Sequence, residues 1–198
     1  MKNKTSPSVS TNKEPILEIF KKIINKGPTV LLEIGSGTGE HAIHIAKALP
    51  DLYWYCSDLE ESHQNIEYWL NHADLPNISK KIATYKASRD KFPDLKPDYV
   101  FTANSLHIMS LKEVRAFIAD LSALNSGSVV IIYGPFNYSG QYSSESNKEF
   151  DKWLKNRNEL WGIKDFSFVK DLMKDSGFVF KEDIEMPANN RILLFKKI

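Results

Sequence analysis

The chain has a single cysteine, Cys56, in 198 residues, which excludes an intramolecular disulfide framework and a cysteine-built zinc site. It carries no excess charge: 26 basic residues face 25 acidic ones, so no basic surface is set aside for a phosphate backbone and no nucleic-acid partner is expected. No apolar run approaches the length that spans a bilayer, so no membrane partner is expected either. Residues 1–10 are polar and lack the apolar core of a secretory signal, which makes the cytoplasm the default location. Residues 1–11 read as a flexible tail. Internal repeats, linkers and low-complexity blocks are lacking too, and the length suits one domain.

What is there is organised around residues 30–46, Val-Leu-Leu-Glu-Ile-Gly-Ser-Gly-Thr-Gly-Glu-His-Ala-Ile-His-Ile-Ala. The run 29–34 is short, apolar and β-branched, as expected of a strand covered on both faces in a parallel sheet. Gly35, Gly37 and Gly39 break it, and Ala42, Ile43, Ile45, Ala46 and Leu49 then recur at helical spacing. Glycine lets a ligand lie against the main chain where free amides and the positive helix end face it. A dinucleotide fingerprint would place its third glycine at position 40, where Glu40 stands, so a nicotinamide-dependent oxidoreductase is disfavoured. His41 and His44, one helical turn apart, find no third ligand at a convincing spacing; they are assigned to the outer side of that helix, and no metal is expected.

In chain order, Thr11 or Asn12 is expected to cap a first helix with Pro15 in its opening turn and Ile16, Ile19, Phe20 and Ile23 inward. Asn12 is also a candidate lid residue. The second strand, residues 52–57, ends at Asp58, where an acidic side chain in α/β nucleotide folds hydrogen-bonds a ribose; Leu59 follows it. A helix over 60–71 leads to a modest third strand at 82–85. The fourth strand, 98–104, runs into Ser105-Leu106-His107, which places Asn104 and His107 at the carboxyl edge where open α/β sheets bind ligands. His107 is the candidate general base.

A helix over 111–124 and a fifth strand over 128–133 precede an unusual stretch. Residues 137–164 are polar and aromatic, contain a helix over about 146–158, and read as a substrate lid. Tyr133, Asn147, Asp151 and Arg157 are its candidate substrate contacts, while Phe150, Trp153 and Leu154 anchor the helix. A last helix, 166–176, is followed by strands at 178–186 and 192–197, whose short link forces them antiparallel.

Glu33-x-Gly35-x-Gly37-x-Gly39 resembles the first motif of the class I S-adenosylmethionine-dependent methyltransferases. The terminal antiparallel hairpin resembles theirs too. Asn-Lys-Glu-Pro-Ile-Leu at 12–17, Ala-Asn-Ser-Leu-His-Ile at 103–108, Tyr-Gly-Pro-Phe at 133–136, Ser-Asn-x-x-Phe-Asp at 146–151, Trp-Gly-Ile at 161–163 and Met-Pro-Ala-Asn-Asn at 186–190 narrow the likeness. Together they are similar to the methyltransferase-like protein 26 family, a branch catalogued as a domain of unknown function.

The resemblance implies an α/β, Rossmann-like fold with a mostly parallel seven-stranded sheet, helices on both faces and a C-terminal antiparallel hairpin. It implies S-adenosyl-L-methionine held by Glu33, Gly35, Ser36, Gly37, Asp58, Leu59, Ser88 and Asn104, with Ser88 standing loosely where the family contacts adenine. It also implies in-line transfer of the sulfonium methyl, with Tyr133, Phe136 or Trp161 near the sulfonium. The asparagine-proline-proline-aromatic signature of base and glutamine methyltransferases is absent after the fourth strand. A small-molecule acceptor is therefore expected, in a monomer or homodimer, the alternative being a non-catalytic S-adenosylmethionine binder or scaffold.

Overall fold

The computed structural model describes residues 5–198. The chain forms two compact units, one running up to Lys86 and including Pro93–Val100, the other made of Ala87–Phe92 and Phe101–Ile198.

The first unit holds α1 (Pro7–Ile23), β1 (Thr29–Ile34), α2 (Glu40–Ala48), β2 (Leu52–Asp58), α3 (Glu60–Ala73) and β3 (Ala83–Thr84). Strands β1 and β2 pair in parallel from Thr29 opposite Leu52 to Ile34 opposite Ser57. Leu31 to Ile34 are all buried, as a strand covered on both faces must be. Trp54, fully buried in β2, stacks on Phe20 of α1 at 6.1 Å between ring centroids. The third strand is only two residues long and pairs with the end of β2.

The expected tail of residues 1–11 needs correcting. Helix α1 opens at Pro7, and Pro15 lies in its interior rather than in its first turn. A proline inside a helix forfeits one hydrogen bond. Here Val9, Asn12, Ile16, Leu17 and Phe20 bury one side of the helix, and Glu40 accepts the Ser6 N–H at 2.8 Å, so tertiary contact overrides the local signal. Residues 1–4 lie outside the described residues.

Strand β4 (Tyr99–Ala103) straddles the boundary between the units. The second unit continues with a 3₁₀ turn (Leu106–Ile108), α4 (Leu111–Asp120), a second 3₁₀ turn (Leu121–Ala123), β5 (Val129–Gly134), β6 (Phe136–Asn137), α5 (Glu145–Arg157), β7 (Lys164–Asp165), α6 (Phe166–Asp175), β8 (Phe178–Met186) and β9 (Asn190–Lys197). Ser110 and Glu113 form a capping box that starts α4. In the hairpin, the three residues Pro187, Ala188 and Asn189 join Met186 to its partner Asn190, Ala188 and Asn189 both with φ of 57°, so β9 begins two residues earlier than the sequence suggests.

Seven strands make one sheet in the order β3-β2-β1-β4-β5-β9-β8, mostly parallel and finished by the antiparallel β8–β9 pair. β6 and β7 form a separate two-stranded sheet with Phe136 opposite Lys164. The expected insert 137–164 is thus closed at its base by its own two ends, with α5 between them. Among the described residues, no helix is long and apolar enough to cross a membrane.

Candidate functional site

In the first unit the turn after β1 is built on left-handed glycines. Gly37 has φ of 60° with open space around the position a Cβ would take, while at Gly39 a Cβ would meet Ile66 Cγ2 at 3.3 Å. Gly39 therefore allows α2 and α3 to approach, and Gly37 leaves an exposed backbone face. Gly35 and Ser36 donate their N–H groups to Ser57 O at 2.9 and 3.0 Å, which ties the turn to β2. Asp58 closes the arrangement: Oδ2 accepts from Gly37 N at 2.6 Å and Oδ1 from Leu59 N at 2.7 Å. The structure thus brings Gly35, Ser36, Gly37, Asp58 and Leu59 together.

Beneath this turn sits Glu33, 1% exposed. Burial pushes its carboxyl up to about 7, against hydrogen bonds to Ser36 and Trp54 that favour the charged form; Trp54 Nε1 donates to Oε2 at 3.0 Å. His41 Nδ1 stands 3.9 Å from Glu33 Oε1. The placement of His41 on the outer side of its helix is corrected here: it is 6% exposed, and its Nε2 lies 2.9 Å from Asn12 Oδ1. Asn12 is an acceptor there, so Nε2 carries the proton. Asn12, expected in a lid, is therefore a buried support for His41. Burial chiefly, with the charges of His44 and Lys13, holds His41 down at about 4.

In the second unit, Asn104 adopts φ of 57° and donates its N–H to Tyr133 O at 2.9 Å; Ser88 also has positive φ, 69°, and is exposed. His107 is 8% exposed, with the ring of Phe150 edge-on at 5.1 Å between centroids. Burial and then the charge of Lys164 hold its imidazole at about 4, so at neutral pH it is unprotonated, the state a base needs, but weakly basic. Tyr133 and Phe136 are buried and Trp161 is half-buried.

Two expected substrate contacts have partners within the protein. Asn147 Nδ2 donates to Ser143 Oγ at 2.8 Å and to Asn189 O at 3.0 Å, lashing α5 to the hairpin turn. Asp151 accepts from Ile163 N at 2.7 Å, Tyr142 OH at 2.8 Å and Lys155 Nζ at 2.6 Å. Both are buried, and a buried polar group must be paired. The polar cluster thus holds the insert together. Arg157, exposed, lies flat on the Trp153 ring at 3.7 Å.

The sequence reading missed Lys164. It is 5% exposed, donates from Nζ to Gly162 O at 2.7 Å, and burial lowers its ammonium to about 8. Its one advance signal was its place at the end of the polar and aromatic stretch 137–164.

This strand order, with a glycine turn after β1 and an acidic end to β2, is the Rossmann-like fold of class I methyltransferases. An O-methyltransferase family 2 protein from Planctomyces limnophilus, solved with apigenin, superposes with a TM-score of 0.80 at 14% identity over 96% of this chain and 60% of its own. An O-methyltransferase family protein from Burkholderia thailandensis gives 0.82 at 12% identity, over 96% and 57%. Human N-acetylserotonin methyltransferase in complex with SAM gives 0.72 at 15%, over 96% and 52%. The chain thus spans little more than half the length of these structures, and at such identities what they share with it is the fold. By sequence, the chain belongs to the family described as protein of unknown function DUF938, which matches residues 3–197.

Proposed function

We propose that the chain is an S-adenosylmethionine-dependent methyltransferase acting on a small molecule, a reading that also fits the methyltransferase-like protein 26 resemblance. The observation that carries it is the closure of the glycine turn on Asp58, with Glu33 buried beneath. The residues fit the cofactor chemically. The Asp58 carboxylate offers two acceptor oxygens to vicinal hydroxyls, the Gly37 backbone is open, and Glu33 is a buried carboxyl that gains from a nearby cation.

When bound, the cofactor supplies a sulfonium methyl to a nucleophile. Glu33, Gly35, Ser36, Gly37, Asp58 and Leu59 hold it in the first unit. Several fold relatives support the choice of cofactor: the human enzyme is described with SAM and PigF with SAH. For the acceptor, the reading assigns Tyr133, Phe136, Trp161 and Arg157 to binding. His107 acts there as a neutral hydrogen-bonding group.

Calorimetric titration with S-adenosylmethionine and S-adenosylhomocysteine tests the proposal. Binding in the micromolar range, weakened by about tenfold or more in Asp58→Ala, is expected from loss of a charged hydrogen-bond acceptor. No binding of either ligand by the unmodified protein overturns it.

A further inference from the structure

Two polar side chains of the second unit lie mostly buried and keep hydrogen-bonding capacity that no protein group among the described residues takes up. Lys164 has three N–H donors and is 5% exposed, yet among the described residues only Gly162 O accepts from it, at 2.7 Å. His107 is 8% exposed, and no group among the described residues hydrogen-bonds either ring nitrogen. That spare capacity, two further N–H donors on Lys164 and the ring nitrogens of His107, is open to a ligand.

The protein holds them together through one peptide. Gly162 donates its N–H to His107 O at 2.9 Å and accepts from Lys164 Nζ on its carbonyl. Gly162 has φ of 151°, and a Cβ there would meet Asp151 Oδ1 at 2.9 Å, so this close approach needs glycine. The charged groups around the ammonium are Asp151 and Glu113, which favour it, and Lys155, which opposes it. Asp151 is taken up by Lys155, Tyr142 and Ile163, and Glu113 by the α4 cap through Ser110 N and Oγ at 2.8 Å each. The flanking surfaces are aromatic: Phe150 lies edge-on to His107, and Phe136 is the register partner of Lys164 across β6 and β7.

We infer that Lys164 and His107 form a subsite for the oxyanion of an aromatic acid, a phenolate or an aryl carboxylate, flanked by Phe150 and Phe136. The ammonium meets the negative oxygen, and the neutral imidazole donates its N–H to it. A phenol binding there loses its O–H proton to solvent and keeps the electron pair on oxygen. The inference deepens the transferase reading, since such an oxygen is the acceptor nucleophile that reading requires, but the binding event needs no cofactor.

The test uses 4-nitrophenol, whose phenolate is coloured, with benzoate as the carboxylate arm and 4-nitroanisole as the neutral control. Unmodified protein should bind 4-nitrophenol and lower its pKa by about one unit, read as extra phenolate colour in mildly acidic buffer. The anisole should not bind. Displacement by benzoate marks a general oxyanion site, and failure of benzoate to compete marks one that prefers phenolates. Lys164→Met should abolish the colour shift, and Lys164→Arg should keep part of it.

If Lys164→Met fails to fold, acetic anhydride labelling of the unmodified protein replaces it, and 4-nitrophenol should protect Lys164 several-fold relative to the other lysines. No binding, binding without a colour shift, an unchanged shift in Lys164→Met, or unprotected Lys164 overturns the inference. Titration of the same preparation with S-adenosylhomocysteine separates the two readings. Nitrophenolate binding without homocysteine-nucleoside binding removes the transferase and keeps the subsite, and the reverse removes only the subsite.

Discussion

Glu33 and His41 approach to 3.9 Å, Oε1 to Nδ1, yet they form a pair of neutral groups and not an ion pair. Burial raises the carboxyl to about 7 and lowers the imidazole to about 4, so between those values neither carries its charge in most molecules. The separation suits an ion pair, but desolvating two charges here costs more than their attraction returns. Asn12 and Trp54 satisfy the outer atoms of each group.

Because Glu33 is largely protonated in the fold below its pKa of about 7, Glu33→Gln should cost little there. The amide oxygen can still accept from Trp54, and the expected loss is below about 1 kcal/mol at pH ~6. Urea unfolding measures it. A loss of about 3 kcal/mol or more would show that the charged form is the one the fold uses.

Ligand binding should expose the same carboxyl differently. A cationic ligand beside Glu33 favours its ionised form, so S-adenosylmethionine binding near pH 6 should release a proton. Calorimetry in two buffers of different ionisation enthalpy reads that proton directly. It should vanish in Glu33→Gln, and its persistence there would assign it to another group.

Acid should destabilise the protein through its histidines. His41 and His107, both held at about 4 against an ordinary 6.5, bind fewer protons folded than unfolded, so the stability they confer is lost as pH falls through that window. Glu33, at about 7 against 4.5, binds more protons when folded, and its contribution grows as pH falls. Two histidines against one carboxyl leave a net loss of about 1.4 kcal/mol per pH unit between pH ~4.5 and ~6.5. His107→Gln should flatten that slope, as measured by urea midpoints across the range. An unchanged slope would mean His107 titrates normally.

Gly162→Ala places a methyl 2.9 Å from Asp151 Oδ1 and 3.2 Å from Lys155 Cε, on a backbone with φ of 151°. Strain and displacement of the Asp151 carboxylate should cost about 2–4 kcal/mol. A melting temperature within a degree or two of the parent would show that the insert yields at this point.

The strand, glycine turn and helix at 29–48, the acidic end of β2 and the terminal hairpin were readable in the sequence because each is a local pattern: apolar run, glycine spacing, short link. The same holds for α5, whose bounds at 145 and 157 match the periodicity closely. The proline signal at residue 15 misled, since the burial that carries α1 from Pro7 through it is tertiary.

What sequence alone determined, then, is the order of the main helices and of the strands of the seven-stranded sheet, and the glycine turn after β1, because backbone conformation follows from residues adjacent in the chain. Only the tertiary structure decided which polar side chains are buried and what they meet. His41 finds Asn12 29 residues away, Asn147 finds Asn189 42 residues away, and Lys164 is enclosed with His107 through the Gly162 peptide. Protonation state and hydrogen-bond commitment depend on desolvation by such distant neighbours, and no local spacing encodes them.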